Sequence, residues 1–204
     1  MMTASERPDG REVLSPAATE SLRGVVLVTG NQGKLVEARR LCGAELEAVE
    51  VDLPEIQSLD LLTVLRAKGE EALRRLQRPL IVEETALDLA AMAGFPGPLV
   101  KWMLAAMGAD GIARTAINMG DDRVTARCAL LLLEPEREVI AVGETRGRVV
   151  APPRGDHGFG WDPIFIPEGT DRTYAQLRPE VKDILSHRGR AWRCLLQKLA
   201  PQAS

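Results

Sequence analysis

The stretch TGNQGK, residues 29–34, follows a β-branched run and precedes an apolar helical pattern. A turn between strand and helix exposes backbone N–H groups at the positive end of the helix dipole, which favours an anion. Thr29, Asn31 and Lys34 add a hydroxyl, an amide and an ammonium to that turn. The spacing is not that of the GxxxxGK[ST] phosphate loop, and a polar turn taken alone is more often only a turn. In VEETALD, residues 82–88, Glu83 and Glu84 end an apolar strand and point to opposite faces. Together with Glu55 in LPEIQ, one of these carboxylates suits Mg²⁺, a hard cation that takes one or two carboxylates plus phosphate oxygens. Read without other clues, these are solvated acids.

SHRGR, residues 186–190, sets a hydroxyl, an imidazole and a guanidinium at the start of a helix, with Lys182 one turn earlier. Cations at that end oppose the helix dipole, so a negative or hydrogen-bonding group nearby would relieve them. A basic surface helix explains the stretch equally well. FGWDPIF, residues 159–165, concentrates Phe159, Trp161 and Phe165 in a chain with only three Phe, three Trp and one Tyr. Glycine between two rings lets a flat ligand approach, an aromatic can stack on it, and Asp162 can accept hydrogen bonds from its edge. Stacking platforms of this kind suit nucleobases. Phe165 reads as core, Phe159 and Trp161 as site.

The elements that must position these residues follow from periodicity. VVLVTG (25–30) reads as a strand, and KLVEARRL as a helix with Leu35, Ala38 and Leu41 on one face. A strand at 46–51, a helix over 61–77 ended by Pro79, and a buried strand LIVEE at 80–84 come next. Pro98 starts a helix running to Met107. RVTARCALLLLE and EVIAVGETRGRVV flank the turn PER as a long hairpin, IFI is a short strand, and Ser186 caps a C-terminal helix burying Ala191, Leu195 and Leu199. Alternating strands and helices, then a hairpin, predict an α/β domain around a mixed sheet over residues 25–204. Residues 1–24, rich in Pro, Gly, Ser and mixed charge, read as a flexible tail.

Composition narrows the function. At 45% hydrophobic and 27% charged, the chain has the make-up of a soluble globular domain. A net charge of -3 supplies no overall attraction to a nucleic acid polymer or an anionic membrane, so an anionic ligand needs locally concentrated positive charge. Cys42, Cys128 and Cys194 lack CxxC spacing, which argues against a zinc site or a disulfide framework and for a reducing cytoplasm. No apolar run is long enough to cross a bilayer, and the charged N-terminus is unlike an export signal.

In order along the chain, TGNQGKL, DLPEIQ, FPGPLVKW, APPRGDHGFGWDPIF, TYAQL and SHRGRA resemble the inosine triphosphate pyrophosphatase family from about Val25 to Leu199. That resemblance implies an elongated α/β fold with a mixed central sheet flanked by helices, two lobes with a cleft between them, and a homodimer. It implies Mg²⁺-dependent hydrolysis of non-standard purine nucleoside triphosphates (inosine, deoxyinosine and xanthosine triphosphates) to the monophosphate and pyrophosphate. Carried over by position, Thr29, Asn31 and Lys34 would hold phosphates, Glu55 and Glu84 the metal, and Glu84 and Lys68 would be catalytic. Phe159 would stack on the purine, Gly160, Trp161 and Asp162 would line the base pocket, and Thr85, Lys182, Ser186, His187 and Arg188 would complete recognition. Three positions depart from the family pattern: Glu84 stands for Asp, Gln176 for Glu and Asp183 for Asn. They leave open a nucleotide-binding protein with weak catalysis, or the same reaction on a modified nucleotide.

Overall fold

The computed structural model describes residues 16–201. A mixed seven-stranded sheet forms its centre, and β-branched and leucine-rich runs supply its strands. Three parallel strands lie at one end: β1 (Val26–Val28) sits between β2 (Glu47–Val49) and β3 (Leu80–Leu89). Long antiparallel strands continue it, with β3 pairing both the two-residue β4 (Pro96–Gly97) and β5 (Arg123–Glu134). β5 turns through a two-residue loop into β6 (Arg137–Val149), and β7 (Phe165–Pro167) closes that edge.

Side-chain alternation along the long strands sorts the core onto two faces. Val26, Leu80, Val82, Ala129 and Leu131 pack beneath α3 (Leu61–Leu76), whose Leu61, Leu65 and Ala72 are buried. Leu27, Ile81, Cys128, Leu130 and Leu132 face the opposite way, toward α2 (Gln32–Cys42) and the C-terminal α6 (His187–Leu199). Further along that same face, Leu87, Leu89, Val124 and Ala126 meet α4 (Val100–Asn118) and the rings of Trp161, Phe165 and Tyr174. Period-two burial is what lets one apolar strand serve two helical layers.

Several elements differ from the sequence expectation. Residues 1–15 lie outside the described residues, but 16–24 do not form a tail. A short helix, α1 (Pro16–Glu20), and the turn after it bury Ala18 and Leu22 against α6. Two apolar side chains spaced four apart are enough to anchor a segment whose remaining composition looks disordered. β3 does not stop at Glu84 but runs to Leu89, because its polar residues find partners: Arg127 on β5 holds Asp88 with two hydrogen bonds, at 2.5 and 2.8 Å. α4 extends beyond Met107 across a break at Gly108, where φ is 69° and ψ 175°. A left-handed φ of that kind is readily adopted only by glycine. A further short helix, α5 (Pro179–Leu185), precedes α6.

Candidate active site

β1 ends at Val28 while its neighbour β3 runs on, so a crevice opens beyond the carboxyl end of the parallel strands. Open α/β sheets place ligands in this position. The cleft has a volume of about 1120 Å³. Thr29, Asn31 and Lys34 line it from the β1–α2 turn, Glu55 from the β2–α3 loop, and Lys68 from α3. Glu83, Glu84 and Thr85 enter from β3, and Phe159, Gly160 and Trp161 from the loop before β7. Eleven of the residues singled out from sequence therefore share one hollow, although they span 133 positions from Thr29 to Trp161.

The phosphate-like turn is built by its own side chains. Asn31 caps α2 by accepting a hydrogen bond from the Lys34 backbone N–H at 3.1 Å, and the Thr29 hydroxyl accepts one from the Asn31 N–H at 3.1 Å. Such caps stabilise a helix start by about 1 kcal/mol. Gly33 leaves room for Phe159, since a Cβ there would stand 2.6 Å from Phe159 Cδ1. Phe159 is thereby laid against the turn, with Lys182 Nζ and Arg188 Cζ each 5.2 Å from its ring centre.

Glu83 and Glu84 do point to opposite faces, and each finds a different cation. Glu84 Oε1 accepts a hydrogen bond from Lys68 Nζ at 2.5 Å, and the same ammonium lies 3.3 Å from the Glu83 carbonyl oxygen. Glu83 turns inward to Arg188, whose Nε and Nη2 donate at 2.9–3.1 Å, with Lys34 Nζ at 3.3 Å. Burial is the strongest influence on Glu83 and pushes its pKa up, but Arg188 and Lys34 together outweigh it and hold the carboxyl at about 2.

Five expected site residues stand behind the cleft rather than on its wall. Lys182 Nζ donates to Glu37 at 2.7 Å and to Asp162 at 2.6 Å, and Arg188 Nη1 donates to Glu37 at 2.5 Å. Asp162 also accepts from the Phe159 backbone N–H at 2.8 Å, so its carboxylate anchors the stacking loop. Burial raises the Asp162 pKa, with Lys182 opposing. Ser186 caps α6 by accepting from the Gly189 N–H at 3.0 Å. His187 is buried, and among the described residues neither ring nitrogen has a hydrogen-bond partner. Burial first, then Arg188 and Lys182, holds His187 well below its ordinary pKa, as a neutral imidazole. Trp161 lines the cleft yet is only 8% exposed, edge-on to Phe165 at 5.4 Å, so it is as much core as site.

Sequence reasoning missed Glu37, which is the hub joining Lys182 to Arg188. It lies three residues after Lys34, hence on the same side of α2, and that spacing was the available signal. It also missed Lys101 of α4, which reaches over the cleft to pair with Glu55 at 2.8 Å.

Among the described residues no group of three or more His, Cys, Asp or Glu converges as a ready-made metal cluster. The cleft instead carries Glu55 and Glu84, with Glu50 and Asp52 on the loop that bears Glu55. An all-carboxylate donor set of this kind fits a hard divalent cation that completes its shell with ligand phosphates and water.

A family model, the Ham1 family, matches residues 25–198. The chain is 38% identical over 178 residues to the inosine triphosphate pyrophosphatase of Puccinia graminis f. sp. tritici, covering 82% of this chain and 92% of that protein. It is 37% identical over 169 residues to the dITP/XTP pyrophosphatase of Pyrobaculum aerophilum, covering 81% and 90%. Among solved structures, the HAM1 protein of Coxiella burnetii aligns with a TM-score of 0.74 at 26% identity, over 86% of this chain and 97% of that one. A nucleoside-triphosphatase / dITP/XTP pyrophosphatase of Mycobacterium abscessus aligns with a TM-score of 0.63 at 30% identity, over 87% and 99%.

Proposed function

The chain belongs to the Ham1 family, and from that premise we propose that it hydrolyses inosine, deoxyinosine and xanthosine triphosphates to the monophosphate and pyrophosphate. One observation carries the reading: Phe159, Lys34 and Glu84, from three distant segments, line a single cleft. An aromatic ring, a phosphate-type turn and an ionisable carboxylate are the three things such a reaction needs in one place.

The purine lies against Phe159, near Trp161 and Gly160, with His187 behind. A neutral imidazole with both nitrogens unpaired, packed behind Trp161, would bond a base edge at little desolvation cost once the ligand reaches past that ring, because it is already dry. A 6-oxo purine that satisfies such groups is favoured over a 6-amino purine that leaves them unpaired. The triphosphate runs toward Thr29, Asn31 and Lys34, where helix N–H groups and ammonium charge meet it. Glu84 orients a water and accepts its proton as the water oxygen bonds to phosphorus and the bond to the departing pyrophosphate breaks. Lys68, now beside Glu84, neutralises charge that develops on the phosphoryl oxygens. Glu55 and Glu84 would hold Mg²⁺, which when bound supplies further positive charge to the phosphates.

Helices of the described residues are too short or too polar to cross a membrane. A cytoplasmic homodimer with no polymeric nucleic acid partner is the setting in keeping with this activity. Incubation with inosine triphosphate and Mg²⁺, followed by product identification, tests the reaction. Monophosphate and pyrophosphate in equal amounts are expected; a diphosphate with orthophosphate would overturn it.

A further inference from the structure

Asp183 carries a negative charge on a helix ill-suited by itself to hold anything still, and its partner explains why it is there. α5 has seven residues, far fewer than the roughly 12–15 an isolated helix needs, and its N-cap, Arg178, makes no side-chain capping bond. Yet α5 carries Lys182, whose buried ammonium must sit within hydrogen-bond reach of both Glu37 and Asp162. Something else must fix its backbone.

Arg40 of α2 does so. Its Nε and Nη2 donate to the two oxygens of Asp183 at 2.5 and 2.8 Å, a bidentate fork between partly buried side chains. The Asp183 backbone is held from the other side. Arg193 of α6 donates to its carbonyl oxygen at 3.0 Å, and a Cβ at Gly189 would overlap that oxygen, so α6 packs directly on it. The residue next to Lys182 is therefore gripped by α2 and α6 at once.

We propose that the Arg40–Asp183 pair is a positioning device that sets the base end of the cleft, by fixing Lys182 between Glu37 and Asp162 and, through Asp162, the loop that presents Phe159. This rests on the assignment of base and phosphate ends made above. The linkage is continuous: Asp183 to Lys182 along the backbone, Lys182 to Asp162 at 2.6 Å, and Asp162 to the Phe159 N–H at 2.8 Å. The phosphate turn has its own supports in Asn31 and Thr29, which do not depend on Asp183. Loss of the pair thus weakens one end of the cleft and spares the other.

Calorimetric titration of the full chain with inosine monophosphate and, separately, with pyrophosphate compares a ligand that uses the base end with one that does not, and needs no turnover. Asp183→Ala is expected to weaken monophosphate binding by about tenfold, as loss of charge-assisted hydrogen bonds does, and to leave pyrophosphate binding unchanged. Asp183→Asn, which keeps an acceptor for Arg40 and the side-chain volume, is expected to fall between Asp183→Ala and the parent; it also serves if the alanine variant fails to fold. Unchanged monophosphate binding in the variants, or equal weakening of both ligands, overturns the pair's role. A parent chain that binds neither ligand overturns the assignment of the cleft itself.

Discussion

Two sets of ion pairs between carboxylates and cations flank the cleft, and water reaches them very differently. The inner set, Glu37, Glu83, Asp162, Lys182 and Arg188, is buried, with Arg188 and Glu83 side chains 4% and 3% exposed. On the cleft wall and rim, Lys68–Glu84 is partly open at 17% and 14%, and Lys101–Glu55 is open at 67% and 34%. A dry pair must be complete, since removal of one partner leaves an uncompensated charge and costs about 3–5 kcal/mol. A wet pair costs little to break. The inner set therefore suits the fixing of geometry, and the outer set suits groups that must exchange partners when a charged ligand arrives.

If that division is right, substitutions in the two sets should fail in opposite ways. Glu84→Gln should lower kcat by about 10²- to 10⁴-fold, the usual worth of a positioned general base, while the melting temperature barely moves. Arg188→Ala should do the reverse first, unfolding the chain more easily by about 3–5 kcal/mol because Glu83 and Glu37 lose their main counter-charge; thermal or urea unfolding reads this directly. A Glu84→Gln variant that melts early, with activity retained, would place Glu84 in the structural set instead.

Acid should act on the inner set. His187 is held below its ordinary value of 6.5, so under acid conditions the unfolded chain binds a proton there that the folded chain refuses. Its contribution is complete above about pH 6.5 and is lost as pH falls below that value. Glu37 and Glu83 are lowered from 4.5, so their contributions fade as pH falls below that value, Glu83's between 4.5 and about 2. Asp162 is raised and works in the opposite sense over its own range. Urea midpoints measured from pH 8 down to pH 3 should therefore fall in two stages. A His187→Phe variant should lose the upper stage only.

The smallest effect belongs to the rim. Lys101→Ala should alter stability by at most about 1 kcal/mol, because the exposed Lys101–Glu55 pair is screened and flexible. By freeing Glu55 it should, if anything, lower the Mg²⁺ concentration needed for half-maximal rate. A higher requirement would show that Lys101 positions Glu55 rather than competing for it.

What the sequence made legible was local. The β-branched run before TGNQGK, the long hairpin and the cap at Ser186 are set by neighbours in the chain, and each stands where periodicity and capping chemistry placed it. The opposite orientations of Glu83 and Glu84 likewise follow from strand geometry alone. Partners contributed from far away were not legible. β3 passes through its acids because Arg188, Lys68 and Arg127 meet them from 105, 16 and 39 residues distant. Glu37 was not legible as a hub, since the cations that need it lie 145 and 151 residues downstream. Family resemblance named the site residues but not which of them face the cleft and which brace it from behind.

A crystal structure of the chain with a non-hydrolysable inosine triphosphate analogue and Mg²⁺ would examine the shared cleft most directly. The hypoxanthine ring should lie on Phe159 and the phosphates between Lys34 and Lys68, with Glu84 facing the reacting phosphorus. Finding the base at the Thr29–Lys34 turn, or the nucleotide outside this cleft altogether, would contradict it.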